Sequence, residues 1–109
     1  MGSYEVIISP GALEQLDRYL EYIQYTLQNP IAAERVWSDA VETKERLAVT
    51  AGSLKYCDNP VLRSLGYRAI GFRRHRYVML YRTEGNTVYV DGIYHQMQDY
   101  ENTFSEQVQ

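Results

Sequence analysis

The chain is poor in the residues that most often carry chemistry: one cysteine, two histidines, one tryptophan and three prolines in 109 residues. Cys57 has no second cysteine to pair with, so no internal disulfide is possible and a reducing cytoplasm is expected. With only His75 and His95, and no H-x-x-x-H or C-x-x-C spacing, no metal site is expected. No apolar run approaches the ~18 residues of a membrane span, so no membrane partner is expected. Met1-Gly2-Ser3-Tyr4-Glu5 has neither the basic start nor the apolar stretch of a signal peptide. No G-x-S-x-G elbow is present. Gly66 and Gly71 lie in a strand-like run without a phosphate-loop pattern and read as bulge or packing glycines, so no cofactor is implied.

What is present is an ordinary globular composition, 45% hydrophobic and 23% charged, in a length that fits a single domain spanning residues 1–109. Eleven tyrosines are the unusual count. They read mostly as core and edge-of-core residues whose hydroxyls reach water. The net charge of −3 hides an asymmetry. Between Asn59 and Thr83 lie six arginines (Arg63, Arg68, Arg73, Arg74, Arg76, Arg82) with His75 and no acid, a segment of +6; five basic residues against fourteen acids leave −9 elsewhere. A local field of that kind decides what docks where more than net charge does, although runs of charge also serve simply to face water.

Along the chain, Tyr4 to Ser9 is short and β-branched and reads as a strand. Ser9 stands where an N-cap belongs, with Pro10 at the first helical position. Leu13, Leu16, Leu20, Ile23 and Leu27 then recur at threes and fours, which predicts an amphipathic helix of about five turns. Asn29-Pro30 ends it and caps a second helix with a stripe of Ala33, Val36, Trp37, Ala40, Val41, Lys44, Leu47 and Ala48, closed by Gly52. So short a joint makes the two helices an antiparallel hairpin. Ser53 to Leu65 reads as a loop with a turn at Asp58-Asn59-Pro60. Gly66–Phe72, Tyr77–Tyr81 and Thr87–Tyr94 are strand-like, with turn chemistry at Glu84-Gly85-Asn86, and form an antiparallel meander. Gln96 to Phe104 reads as a short helical turn or tail. The fold class is thus α+β, ordered β-α-α-β-β-β, with the hairpin on one face of a mainly antiparallel four-stranded sheet and the other face at least partly open. Strict alternation sets Tyr89, Asp91, Ile93 and His95 on one face of the last strand, with Val88, Val90 and Tyr94 on the other. Arg76, Val78, Leu80 and Arg82 share a face of its neighbour. Which face of that neighbour meets the helices is left open by Tyr77, Met79 and Tyr81.

The element order, the joint Asn29-Pro30-Ile31-Ala32-Ala33, the strand Tyr77-Val78-Met79-Leu80-Tyr81-Arg82 and the ending Ile93-Tyr94-His95-Gln96-Met97-Gln98-Asp99-Tyr100 resemble the RelE/ParE superfamily, toxins of bacterial type II toxin–antitoxin pairs. The resemblance runs from Tyr4 to about Phe104. It implies a growth-inhibiting cytoplasmic toxin, neutralised by a cognate antitoxin, whose target is either mRNA on the ribosome or DNA gyrase. The hairpin joint looks more like the ParE branch, which poisons gyrase without hydrolysis. His95, Arg82 and Tyr100 are what a RelE-like reading would use. The 2′-hydroxyl attacks the adjacent phosphorus as His95 takes its proton, the 5′ oxygen leaves and is protonated by an acid, Arg82 stabilises charge, and Tyr100 stacks or donates a hydrogen bond. Gln96, Met97 and Gln98 stand where several ParE-like endings carry basic residues. Arg68, Arg73, Arg74 and Arg76 are the candidates for phosphate or target docking, and acidic antitoxin residues are expected near Arg73, Arg74 and Arg76. A non-toxic binding module that uses the arginine-rich strand for an acidic partner is the alternative.

Overall fold

The computed structural model describes residues 3–109; Met1 and Gly2, part of the segment read for a signal peptide, lie outside the described residues. Strand β1 (Glu5–Ile8) leads into α1 (Pro10–Glu21), whose last turns widen into a π-type turn at Tyr22–Thr26. Then come α2 (Pro30–Thr50), a 3₁₀ turn at Ala51–Ser53, a short α3 (Pro60–Ser64), β2 (Arg68–Gly71), β3 (Tyr77–Glu84), β4 (Thr87–His95) and α4 (Tyr100–Val108). The sheet order is β1-β4-β3-β2, antiparallel except for β1 alongside β4.

Both helix starts form as the capping residues dictate. Ser9 accepts from the Ala12 N–H at 3.1 Å and Asn29 from the Ala32 N–H at 3.1 Å, each followed by proline at the helix start. Replacing Ser9 by Ala is expected to cost about 1 kcal/mol in a urea melt, the ordinary worth of an N-cap. A loss within about 0.2 kcal/mol would show that packing alone fixes this helix start.

The hairpin covers one face of the sheet. Ala12, Leu16, Ile23, Ala33, Val36, Ala40 and Leu47 pack on Ile70, Met79, Tyr81, Val88, Val90 and Ile93. The face of β3 that meets the helices is therefore Tyr77, Met79 and Tyr81. The Tyr81 hydroxyl is not in water; it donates to the Ala51 carbonyl at 2.8 Å inside the core. The α2 stripe is rotated from the expected one. Trp37 and Val41 are 46% and 39% exposed, and Asp39 and Thr43 take buried places instead.

The second face is not left open, as a two-helix count suggests. Leu62 of α3 and Phe104 of α4 join Cys57, Tyr67, Val78, Leu80 and Tyr94 in a second core. The expected loop and tail thus contain helices whose role is to close this face. Gly92 makes room for it: a Cβ there would lie 3.2 Å from Phe104 Cδ1 and 2.9 Å from Tyr94 Cε2.

Strict alternation in β4 also fails. Leu80 pairs with Gly92 and Tyr81 with Val90, so Asp91 is an extra residue, a β-bulge. The bulge shifts the phase. Val88, Val90 and Ile93 all face the hairpin, whereas Tyr94 faces the second core.

Candidate functional site

The end of the sheet where β3 begins and β4 finishes carries the densest set of candidate residues. Tyr77 pairs with His95 in register, and the two rings meet edge-to-face at 5.2 Å. The His95 backbone N–H donates to Gln98 Oε1 at 3.0 Å and lies 3.3 Å from the Tyr19 hydroxyl, which itself donates to Gln98 Oε1 at 2.9 Å. His95 Nδ1 accepts the Met97 N–H at 3.1 Å. In a neutral imidazole that bond leaves Nε2 carrying the hydrogen, a donor rather than a free base. Burial raises the Tyr19 pKa, with the hydrogen bond at the His95 backbone working the other way.

The other residues of the nuclease reading lie elsewhere. Arg82 pairs with Tyr89, five residues along β3 from the Tyr77–His95 pair, a separation of roughly 17 Å at strand rise. Its Nε donates to Asp91 Oδ2 at 3.1 Å, it also pairs with Glu84, and its guanidinium lies 4.7 Å over the Tyr89 ring. Burial disfavours its charge, but the bonds to Glu84 and Asp91 outweigh that and hold its pKa above the usual arginine value. Tyr67 donates to the same Asp91 oxygen at 2.7 Å; burial, followed by that bond, pushes its phenol up to about 12. Tyr100 is half-buried on α4 against the second core, and burial raises its pKa too. His95, Arg82 and Tyr100 do not converge.

The acid-free arginine segment is largely neutralised by acids folded against it. Arg63 pairs with Asp58, and Arg74 with Glu42 at 2.8 Å. Arg73 reaches the same Glu42 only at 3.9 Å. Arg68 stacks on Tyr56 at 4.1 Å. Arg76 makes no ion pair among the described residues; its Nη1 lies 3.8 Å from the Met97 sulfur.

Beneath the turn that joins β2 to β3 sits Asp39 of α2, 1% exposed. Its Oδ2 accepts the Arg74 backbone N–H at 2.9 Å and His75 Nδ1–H at 2.8 Å. A carboxylate is acceptor-only, so His75 must donate through Nδ1. Burial alone would raise the Asp39 pKa; the bonds from His75 and from the Arg74 and Arg73 backbone overcome it, and the net shift is downward. Because the folded value lies below the ordinary 3.8, Asp39 stabilises the fold fully above that pH, and the contribution is lost as pH falls through the folded value. Asp39→Asn is therefore expected to lower stability at pH 7 and flatten the acid limb of a stability–pH curve below 3.8. An unchanged acid limb would contradict this.

Asp39 and Glu42 were not singled out by the sequence, and Trp37 was read only as part of the apolar stripe of the second helix, although for Asp39 one signal was available. Val36, Asp39, Thr43 and Leu47 follow threes and fours, which sets an aspartate on a buried stripe. Among the described residues no cluster of three or more His, Cys, Asp or Glu could hold a metal ion. Burial pushes the Cys57 thiol up to about 12, so it is not a ready nucleophile.

A second feature lies near the opposite edge of the sheet. Along β1, between α1 and α2, runs an apolar groove of about 460 Å³ lined by Ile7, Leu13, Leu16, Trp37, Val41 and Lys44, among others. Ile7, Leu13, Trp37 and Val41 are each about 40% exposed or more.

A helical hairpin on a four-stranded sheet whose first strand runs parallel to its last, with a three-strand antiparallel meander, is the RelE/ParE-like fold. The family model described as ParE toxin of type II toxin–antitoxin system, parDE, matches residues 6–100, and the chain belongs to that family. A structure of the chromosomal ParDE TA system from P. aeruginosa is similar in fold, with a TM-score of 0.70 at 18% identity over 87% of this chain and 98% of that one. Among curated proteins no sequence matches significantly. The chain is the toxin of a type II toxin–antitoxin pair, with a cognate antitoxin as partner.

Proposed function

We propose that this toxin arrests growth by binding DNA gyrase, without cutting RNA. The observation that carries the reading is the dispersal of the nuclease candidates. His95 spends Nδ1 on the Met97 N–H, Arg82 is bound to Asp91 and Glu84 far along β3, and Tyr100 is tied into the second core. Acid–base cleavage needs a proton acceptor and a charge stabiliser within reach of one phosphate. A docking toxin needs only a surface. The reading places the protein in the cytoplasm, where gyrase works; no helix among the described residues is long and apolar enough to cross a membrane.

The test is His95→Gln in an inducible strain. Growth arrest is expected to persist unchanged. A loss of toxicity with a 10²–10⁴-fold drop in RNA cleavage, the scale for a missing general acid or base, would establish the nuclease instead.

For the antitoxin, the groove along β1 is the seat we infer. Its exposed Trp37, Leu13, Val41 and Ile7 offer anchor sites to a segment that orders on binding. β1 is also an end strand of the sheet, with one side free of any partner strand among the described residues. Lys44, on the rim, favours an acidic residue at that point of the segment.

A further inference from the structure

The turn between β2 and β3 is built in an unusual way for a surface loop. Residues Arg73 to Arg76 bridge the Phe72 N–H to Tyr77 carbonyl bond of 2.9 Å, and the loop is held from below by a carboxylate on another element. Asp39 is almost fully buried, and among the described residues its Oδ1 has no hydrogen-bond partner. Burying a carboxylate is costly, and here the bonds from the Arg74 N–H and the His75 ring, both made to Oδ2, are what offset that cost. What the arrangement achieves is fixed presentation. The Arg74 backbone and the His75 ring are tied down toward α2, and Arg74 is spent on Glu42. Arg73 is left with only a 3.9 Å approach to Glu42, and Arg76 with only the Met97 sulfur. Both arginines are exposed, and Met97, against Arg76, is 72% exposed.

We propose that this locked turn, presenting Arg73 and Arg76 with Met97 against Arg76, is the surface by which the toxin docks on an acidic face of its protein target. The inference rests on the binding mode proposed above and names where that binding occurs. Two exposed guanidiniums on a fixed backbone supply charge complementarity, and an exposed, pliable methionine supplies apolar contact. That mixture suits a protein face better than a bare phosphate backbone. The net charge of −3 also works against general attraction to nucleic acid. The target is the occupant rather than the antitoxin, because the apolar groove at β1 already offers the antitoxin a separate seat. β1 and β2 are the two outer strands, so groove and turn lie toward opposite edges of the sheet. Asp39 is a positioning residue here, acting through the turn.

The experiment compares intact toxin with an Arg73→Glu/Arg76→Glu variant in three assays: inhibition of purified gyrase, affinity for the purified antitoxin, and thermal melting. The expected result is a loss of about 30-fold or more in gyrase inhibition, the scale of like charges set face to face across an interface. Antitoxin affinity should stay within about threefold and melting should be unchanged, since exposed surface substitutions rarely alter stability. Unchanged gyrase inhibition would overturn the proposal and leave the arginines as a solvated turn. An equal or larger loss of antitoxin affinity would overturn it by giving the surface to the antitoxin. Should intact toxin arrest growth without inhibiting gyrase, the gyrase reading fails by itself. The same variant is then scored on growth arrest, and arrest that persists overturns the docking surface. For the lock, Asp39→Asn keeps an acceptor oxygen for the Arg74 N–H and Asp39→Ala does not. Docking should fall further in Ala than in Asn when both are compared at a temperature where each is folded. If Ala does not fold, Asn alone must weaken inhibition while leaving antitoxin affinity intact, and undiminished inhibition in Asn would contradict the positioning role.

Discussion

Phe104→Ala is expected to lose about 3–5 kcal/mol of folding free energy, the usual cost of removing a fully buried phenyl ring. Phe104 is 2% exposed and meets Tyr67 edge-to-face at 5.0 Å and Tyr94 at 6.2 Å, over the space that Gly92 leaves vacant. A domain of this size has about 5–15 kcal/mol in total, so the variant would approach the limit of stability at 37 °C. Urea melts followed by far-UV circular dichroism measure it directly. A loss below about 1 kcal/mol would mean that α4 is not docked on the second face.

The second large effect concerns neutralisation. Trp37→Asp should weaken antitoxin binding by about 30-fold or more, the scale of a central aromatic anchor, and the strain carrying both genes should then fail to recover from induction. Trp37 is half-exposed on the outer side of α2 and stands over the apolar groove, so an aspartate there puts a charge where an apolar anchor would sit. Titration calorimetry with the purified antitoxin reads the change. Affinity within about threefold of the parent would move the antitoxin off this groove.

The part of the fold governed by local chemistry was legible in the sequence. Ser9, Asn29 and their following prolines mark both helix starts, and the β-branched runs mark the strands, because caps and periodicity act over a few residues. α3 was not, and α4 was legible only as a short helical turn or tail. α3 has only five residues, too few for a periodic stripe, and α4 showed only the pair Tyr100 and Phe104. The bulge at Asp91 is set by strand pairing, so alternation counted through it assigned Ile93 to the wrong face.

The candidate site was legible as a list of residues and not as an arrangement. A stretch without acids looks like a field of +6, yet Glu42, Asp39, Asp58, Glu84 and Asp91 come from outside it and fold against it. Asp39 lies 35 residues from the Arg74 N–H that it holds, a distance no local pattern spans. His95 kept its place at the strand end, but only the folded ending shows its Nδ1 bound to the Met97 N–H.

The order in which DNA and protein synthesis fail tests the central claim most directly. After induction of the intact toxin, parallel pulses of labelled thymidine and labelled methionine report replication and translation minute by minute. A toxin that binds gyrase stops thymidine incorporation first, induces a DNA-damage response and leaves mRNA whole. If methionine incorporation stops first and mRNAs are found cut within codons, the toxin is a ribosome-dependent nuclease and the binding account is wrong.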